Sequence, residues 1–268
     1  MNLPVVPKKS LGQNFLNSER VLVRIAEATK LSKDDTVLEI GPGLGALTAK
    51  LLETAGKVIA VEKDDTLYSI LSEKFAKQIK SGQLTLINQD IQDFDPKTLK
   101  KGYKLAANIP YNLTGLIIRN FLSGHYQPEI MVLLVQKEVV DRILAHDGKE
   151  SLLSISVKVY GTPKRITNVA RGNFNPVPRV DSAVFSVENI SRDRFISPEF
   201  EDLFFKVIHA GFGHKRKMLV RNLIDEQFGT RELWEIEFPK RSLKTTIRSE
   251  ELTVDDWIFI TNVLYNNH

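Results

Sequence analysis

The chain has 268 residues, 42% of them hydrophobic, enough for one large domain and a smaller one. No apolar run approaches the ~18 residues of a membrane helix, and Met1–Ser10 has no apolar core of signal-peptide length. Cysteine is absent, which excludes disulfides, thiolate chemistry and cysteine-type zinc sites and fits a reducing, cytoplasmic setting. The net charge of +4 is a weak pointer to nucleic acid, so clustering matters more than the sum. Up to residue 190 there are 25 basic and 20 acidic residues, against 12 and 13 beyond it. The clusters are Lys8-Lys9, Lys164-Arg165 and His214-Lys215-Arg216-Lys217, with Arg221 one turn on; each reads as a solvated face or as a phosphate contact.

Asn17 to Lys30 carries Val21, Leu22, Ile25 and Ala26 at helical spacing, with Asn17 or Ser18 as N-cap. Thr36–Ile40 reads as a buried strand running into Gly-Pro-Gly-Leu-Gly and a helix to about Thr54. Lys57–Val61 is a second strand, followed by a helix capped by Asp64 and reaching about Ile79. Leu84–Ile87, Lys104–Ala107 and Ile130–Val135 are further strands with helical segments between or after them. Short buried strands alternating with helices predict a mostly parallel sheet covered on both faces. Ser151 to Tyr160 alternates like a strand, yet an α/β sheet wants a crossover helix there, and helix is the reading adopted. Residues 163–172 and 182–188 read as an antiparallel pair closing the sheet, joined by the loop Asn173–Arg179 whose two prolines cannot serve a central strand. From about Ile190 the pattern is helical: Pro198–Ala210, Lys215–Phe228 and Thr253–Leu264, the last opened by Thr253 with Asp256 three positions on.

Four segments can carry chemistry. Glu39-Ile-Gly-Pro-Gly-Leu-Gly45 leaves a strand and enters a helix, where an α/β sheet binds ligands and glycines admit close backbone approach. Glu62 ends the second strand, and a carboxylate there can accept both ribose hydroxyls of a nucleoside. These two features suit a nicotinamide cofactor as well as S-adenosylmethionine. Asp90, after the third strand, can accept a hydrogen bond from an adenine amine or serve only as a turn cap. Asn108-Ile-Pro-Tyr111, after the fourth strand, has no use in hydride transfer but suits methylation of an aromatic amine. The exocyclic nitrogen of adenine is a poor nucleophile because its lone pair is delocalised. Hydrogen bonds from its N–H groups to the Asn108 oxygen and the Ile109 carbonyl localise that lone pair. Pro110 stiffens the turn, and Tyr111 stacks on the extruded base.

With these motifs, the chain resembles the ribosomal RNA adenine dimethyltransferases, within them the type that modifies small-subunit rRNA, over nearly its whole length. Lys9-Ser-Leu-Gly-Gln-Asn-Phe-Leu16 is similar to the family's N-terminal motif, Phe174 to Val184 to its loop after the last crossover, Phe212 to Leu219 to its basic helix start, and Arg248 to Thr253 to the segment before its final helix. Two departures stand out: Ile109 where the family more often has leucine, and Gly115-Leu116 where it has a small hydroxyl residue and a proline.

The resemblance implies an α/β, Rossmann-like methyltransferase sheet over 1–189 and a small all-helical RNA-binding domain over 190–268. It places Gln13, Asn14, Leu16, Gly41, Gly43, Glu62, Lys63, Asp90, Ile91 and Asn108 around S-adenosylmethionine, with Tyr111 and Phe174 sandwiching the target base and no metal. The expected reaction is in-line displacement at the sulfonium methyl, two methylations on each of two adjacent adenosines near the 3′ end of 16S rRNA in the 30S subunit. Lys8, Lys9, Lys215, Arg216, Lys217 and Arg221 are the expected RNA contacts. A monomer is expected. The alternatives are the macrolide-resistance type that methylates 23S rRNA, a nicotinamide dehydrogenase, and a ribosome-assembly factor with little catalysis.

Overall fold

The computed structural model describes residues 6–8, 12–214 and 216–267; Lys9 and Lys215 lie outside them. Contacts divide the chain into two compact units, one running to Val140 and resuming over Thr162–Ile190, the other formed by Asp141–Gly161 and the chain from Ser191 on.

The first unit is built on a seven-stranded sheet. Its strands are β2 (Thr36–Ile40), β3 (Lys57–Glu62), β4 (Leu84–Asn88), β5 (Lys104–Asn108), β6 (Met131–Gln136), β7 (Thr162–Val169) and β9 (Ser182–Glu188), in spatial order β4-β3-β2-β5-β6-β9-β7. The first five in that order run parallel, and β9 pairs antiparallel with both β6 and β7. A second, two-stranded pairing joins β1 (Phe15–Leu16) to β8 (Phe174–Asn175). The strand interiors are continuous apolar runs, as expected of strands buried on both faces. Val37, Val58, Ala60, Ala106, Val132 and Val184 share one core with Leu22 and Ile25 of α1 (Glu19–Ala28) and Leu47 and Leu51 of α2 (Ala46–Thr54).

The strand order explains why the motifs converge. From β2 the chain moves outward through β3 to β4, then returns to β2's other side as β5. The sheet reverses direction there, and the crevice beyond the carboxyl ends of such strands is where ligands bind. The glycine turn follows β2, Glu62 ends β3, Asp90 follows β4 and Asn108 ends β5.

The helix expected to reach Ile79 is two, α3 (Asp65–Lys74) and α4 (Ala76–Ser81), because buried Phe75 turns into the core between them. Asp64 does cap α3, accepting from the amides of Thr66 and Leu67. α5 (Thr114–Ser123) follows β5, and α6 (Lys137–Leu144) follows β6. The strand-like stretch after 150 is helix α7 (Leu152–Lys158), opened by a capping box between Ser151 and Ser154.

Contacts assign residues 141–161 to the second unit, not to the 1–189 segment in which the sequence reading put them. That unit contains α8 (Pro198–Phe212), α9 (Leu219–Asp225), α10 (Arg231–Lys240) and α11 (Val254–Asn266). Helix α9 starts later than the Lys215 expected. The side chain of Asn222 donates to the carbonyls of Gly211 and His214 at 2.6 and 3.2 Å, and Leu219 N donates to Ile247 O at 2.9 Å, so Arg216 and Lys217 sit in the preceding turn. The unforeseen α10 carries Pro239 and five charged residues, but Trp234 and Phe238, one turn apart, are fully buried.

Candidate active site

The carboxyl-end crevice is a cavity of about 280 Å³ lined by residues 12–17, 39–44, 61–63, 89–91, 108–111 and Phe174, among others. All of these belong to the first unit.

The glycine turn shapes its floor. Gly43 has φ +60°, and a Cβ there would meet the Phe15 ring at 3.2 Å. Gly45, at φ +76°, is tighter: a Cβ would lie 2.5 Å from the Phe75 ring and 2.8 Å from Leu71. Both strain and overpacking oppose a side chain at that position. Gly45→Ala is expected to cost roughly 2–4 kcal/mol of stability, as measured by urea unfolding.

Glu62 is buried, yet each of its oxygens is held: Oε2 accepts from Gly43 N at 3.1 Å and Oε1 from Asp64 N at 2.9 Å. Burial pushes its pKa up, and those amides oppose the rise. Two residues on, Asp64 binds the N-terminal arm. Its carboxylate accepts from Lys8 Nζ at 2.9 Å and from Gln13 Nε2 at 3.0 Å, while Lys8 N donates to Gln13 Oε1 at 2.8 Å. Lys8, expected as an RNA contact, therefore has its ammonium on Asp64 beside the cofactor cavity. The sequence marked Asp64 only as a helix cap; its place two residues after Glu62 was the available signal.

The arm then pairs with the loop after the last crossover, Leu16 opposite Phe174, and Asn17 N donates to Asn173 O at 2.8 Å. No spacing in the sequence showed that these two expected parts of the site, far apart in the chain, form one ribbon. Phe174 is buried in the core and lines the cavity from there.

Asp90 caps a 3₁₀ turn through Gln92 N and pairs with Lys63 Nζ at 2.6 Å. The Gln92 amide, then Lys63, holds its carboxyl below the usual range. Both earlier readings of Asp90, cap and amine acceptor, are compatible with this geometry. Asn108 Nδ2 donates to Asn14 O at 3.3 Å, which leaves Oδ1 without a partner among the described residues. Ile109 is buried, and Tyr111 is half-buried with its hydroxyl 2.8 Å from Ser182 Oγ.

Glu39 was quoted in the glycine motif but given no role. It is fully buried in the cavity wall, and its Oε2 has no hydrogen-bond partner. Burial pushes its carboxyl up to about 8, with Thr48 opposing and the Glu62 charge adding. The folded state thus keeps a proton the unfolded chain has lost, so stability falls as pH rises from about 4.5 to about 8. Glu39→Gln is expected to flatten that fall, gaining on the parent by about 2–4 kcal/mol between pH 5 and pH 8 in urea unfolding.

In the second unit Arg216 is exposed, and Lys217 and Arg221 share Asp225 at 3.3 and 3.0 Å. Exposed pairs of this kind are weak and exchange readily for a phosphate.

A nucleoside cofactor with a charged amino-acid tail fits these acceptors. Glu62 is a fixed carboxylate with lone pairs to spare, Asp90 stands past the next strand, and Glu39 offers a buried acid whose free oxygen would ionise beside a cation. Together with an asparagine oxygen and a proline-stiffened carbonyl, the fold and site define an S-adenosylmethionine-dependent amine methyltransferase.

Residues 6–264 match the family of ribosomal RNA adenine dimethylases. A ribosomal RNA small subunit methyltransferase A of Dehalococcoides mccartyi is 39% identical, covering 97% of this chain and 89% of its own. A dimethyladenosine transferase structure from Plasmodium falciparum is 26% identical with TM-score 0.75, covering 92% of this chain and 95% of its own. The 23S rRNA methyltransferase ErmE, 23% identical, shares the fold at TM-score 0.77, covering 94% of this chain and all of its own. The chain belongs to the ribosomal RNA adenine dimethylase family and uses S-adenosylmethionine as methyl donor.

Proposed function

We propose that this chain dimethylates N6 of two adjacent adenosines near the 3′ end of 16S rRNA in the 30S subunit, acting as a cytoplasmic monomer. The observation that carries the chemistry is the Asn108 amide: it donates to Asn14 O, and its Oδ1 has no partner among the described residues, one position before the Ile109 carbonyl in the chain, which gives two acceptors for the two N–H groups of one amine. S-adenosylmethionine, when bound, supplies a methyl group already activated as a sulfonium. The protein's part is orientation. Glu62 holds the ribose, Asp90 and the Ile91 backbone meet the adenine with Lys63 beside them, and Gly41 and Gly43 let the backbone approach. Gln13, Asn14 and Leu16 close the arm over the methionine end, and Glu39 faces the cofactor's cationic tail. Asn108 and Ile109 accept from the target amine, and Tyr111 and Phe174 flank its ring. The small-subunit assignment rests on the relatives that carry that name and on Val180–Val184 and His214–Lys217 in the sequence. Reverse transcription of rRNA from cells lacking the enzyme should read through the 3′ adenosine pair and stop there once the chain is restored. Read-through after restoration of active protein would contradict the site.

We further propose that the helical segment 190–268, with Arg216, Lys217 and Arg221, contacts rRNA phosphates, Lys9 and Lys215 adding charge. Replacing both Arg216 and Lys217 by alanine should weaken subunit binding about tenfold at 0.1 M salt and lower the salt-dependence slope by roughly 2, in filter-binding titrations.

A further inference from the structure

We propose that Ser182 is a positioning residue for the methyl transfer, fixing the ring of Tyr111 against which the target adenine stacks; this rests on the base-platform reading of Tyr111 above. Tyr111 opens a 3₁₀ turn, Tyr111–Leu113, outside the sheet. The space beside Gly115, just after that turn in helix α5, is empty to 4 Å, so no side chain at that position braces it. The ring is held instead from the side, by the 2.8 Å hydrogen bond between its hydroxyl and Ser182 Oγ.

Ser182 is a suitable anchor. It is wholly buried, and as the first residue of β9 it lies between two strands, opposite Gln136 of β6 and Val169 of β7. Groups carried on strands are held more closely than groups on loops. The residue before it adds two ties: Asp181 O accepts from Lys137 N at 3.0 Å, and Asp181 Oδ1 accepts from Arg171 N at 2.9 Å. The same loop, between Arg171 and Ser182, carries Phe174. One rigid strand start therefore sets Tyr111 and closes the loop that presents the opposing aromatic. The Ser182 hydroxyl makes no other hydrogen bond among the described residues, so within them it serves Tyr111 alone.

The test is a set of variants assayed for kcat on unmethylated small subunits and for KM of S-adenosylmethionine. Ser182→Ala and Tyr111→Phe remove the same hydrogen bond from its two ends. Each is expected to lower kcat about tenfold with the cofactor KM unchanged, and the double variant should be no slower than either alone; misplacement by about 1 Å can cost on the order of 100-fold. Because Ser182→Ala alters a buried position, Tyr111→Phe carries the test if that variant does not fold. Tyr111→Ala serves as the reference and should lose at least 100-fold. Wild-type kcat in Ser182→Ala or Tyr111→Phe beside a crippled Tyr111→Ala would overturn the positioning role alone. Additive losses in the double variant, or a cofactor KM that rises with the fall in kcat, would also overturn it. Wild-type kcat in Tyr111→Ala would instead remove the platform reading itself.

Discussion

Glu62→Ala is expected to weaken S-adenosylmethionine binding by roughly 100- to 1000-fold, about 3–4 kcal/mol. The carboxylate is held at both oxygens by backbone amides, so in its proposed role it would meet the ribose already oriented and lose little freedom on binding. Hydrogen bonds to a charged acceptor are each worth about 1.5–3 kcal/mol, and two ribose hydroxyls are at stake. Alanine also leaves Gly43 N and Asp64 N without acceptors, which loosens the glycine turn and the start of α3. Glu62→Gln separates the two effects, because one carbonyl oxygen remains while the NH₂ faces an amide N–H. It should fold normally and still bind the cofactor at least tenfold more weakly, by calorimetric titration. Cofactor affinity equal to the parent's in a folded Glu62→Gln would contradict the role.

Asn108→Ala is expected to lower kcat by about 100- to 1000-fold, roughly 3–4 kcal/mol, the effect seen when one preorganised transition-state contact is removed. The reason is electronic as well as geometric. The adenine amine attacks only when its lone pair is withdrawn from the ring, and in the proposed mechanism Asn108 Oδ1, without a partner among the described residues, is one of two acceptors that draw it out. Cofactor affinity should fall far less, since the side chain's other end bonds the protein's own Asn14 carbonyl. A loss that appears wholly in the cofactor KM would make Asn108 a cofactor ligand and no more. If cells carrying Asn108→Ala still assembled small subunits normally while lacking the methyl groups, an assembly role would stand apart from catalysis.

The strands were legible because both faces are buried: runs such as Val58–Val61 and Met131–Val135 have one explanation in a sheet of this kind. The cofactor motifs were legible because each follows its own strand, and a parallel sheet gathers carboxyl ends at the reversal of strand order. Contacts between distant segments were not legible. Nothing in the spacing of Phe15–Leu16 pairs it with Phe174–Asn175, and nothing in Lys8 distinguishes a phosphate contact from the partner of Asp64. Helix α10 escaped notice because two buried aromatics stand among charges and a proline, so its anchoring is tertiary. The late start of α9 was hidden for a related reason: Asn222 ties the basic turn to Gly211 and His214, a constraint no helical periodicity records. Glu39 looked like part of a glycine signature, and only its full burial with an unpartnered oxygen marks it as a group with something to bind.

The central claim is tested most directly by transfer of labelled methyl from S-adenosylmethionine to purified unmethylated 30S and 50S subunits, with the modified nucleoside identified by mass. The proposed function predicts N6,N6-dimethyladenosine on 30S and no label on 50S. Label on 50S alone, or none on either despite bound cofactor, would contradict the account.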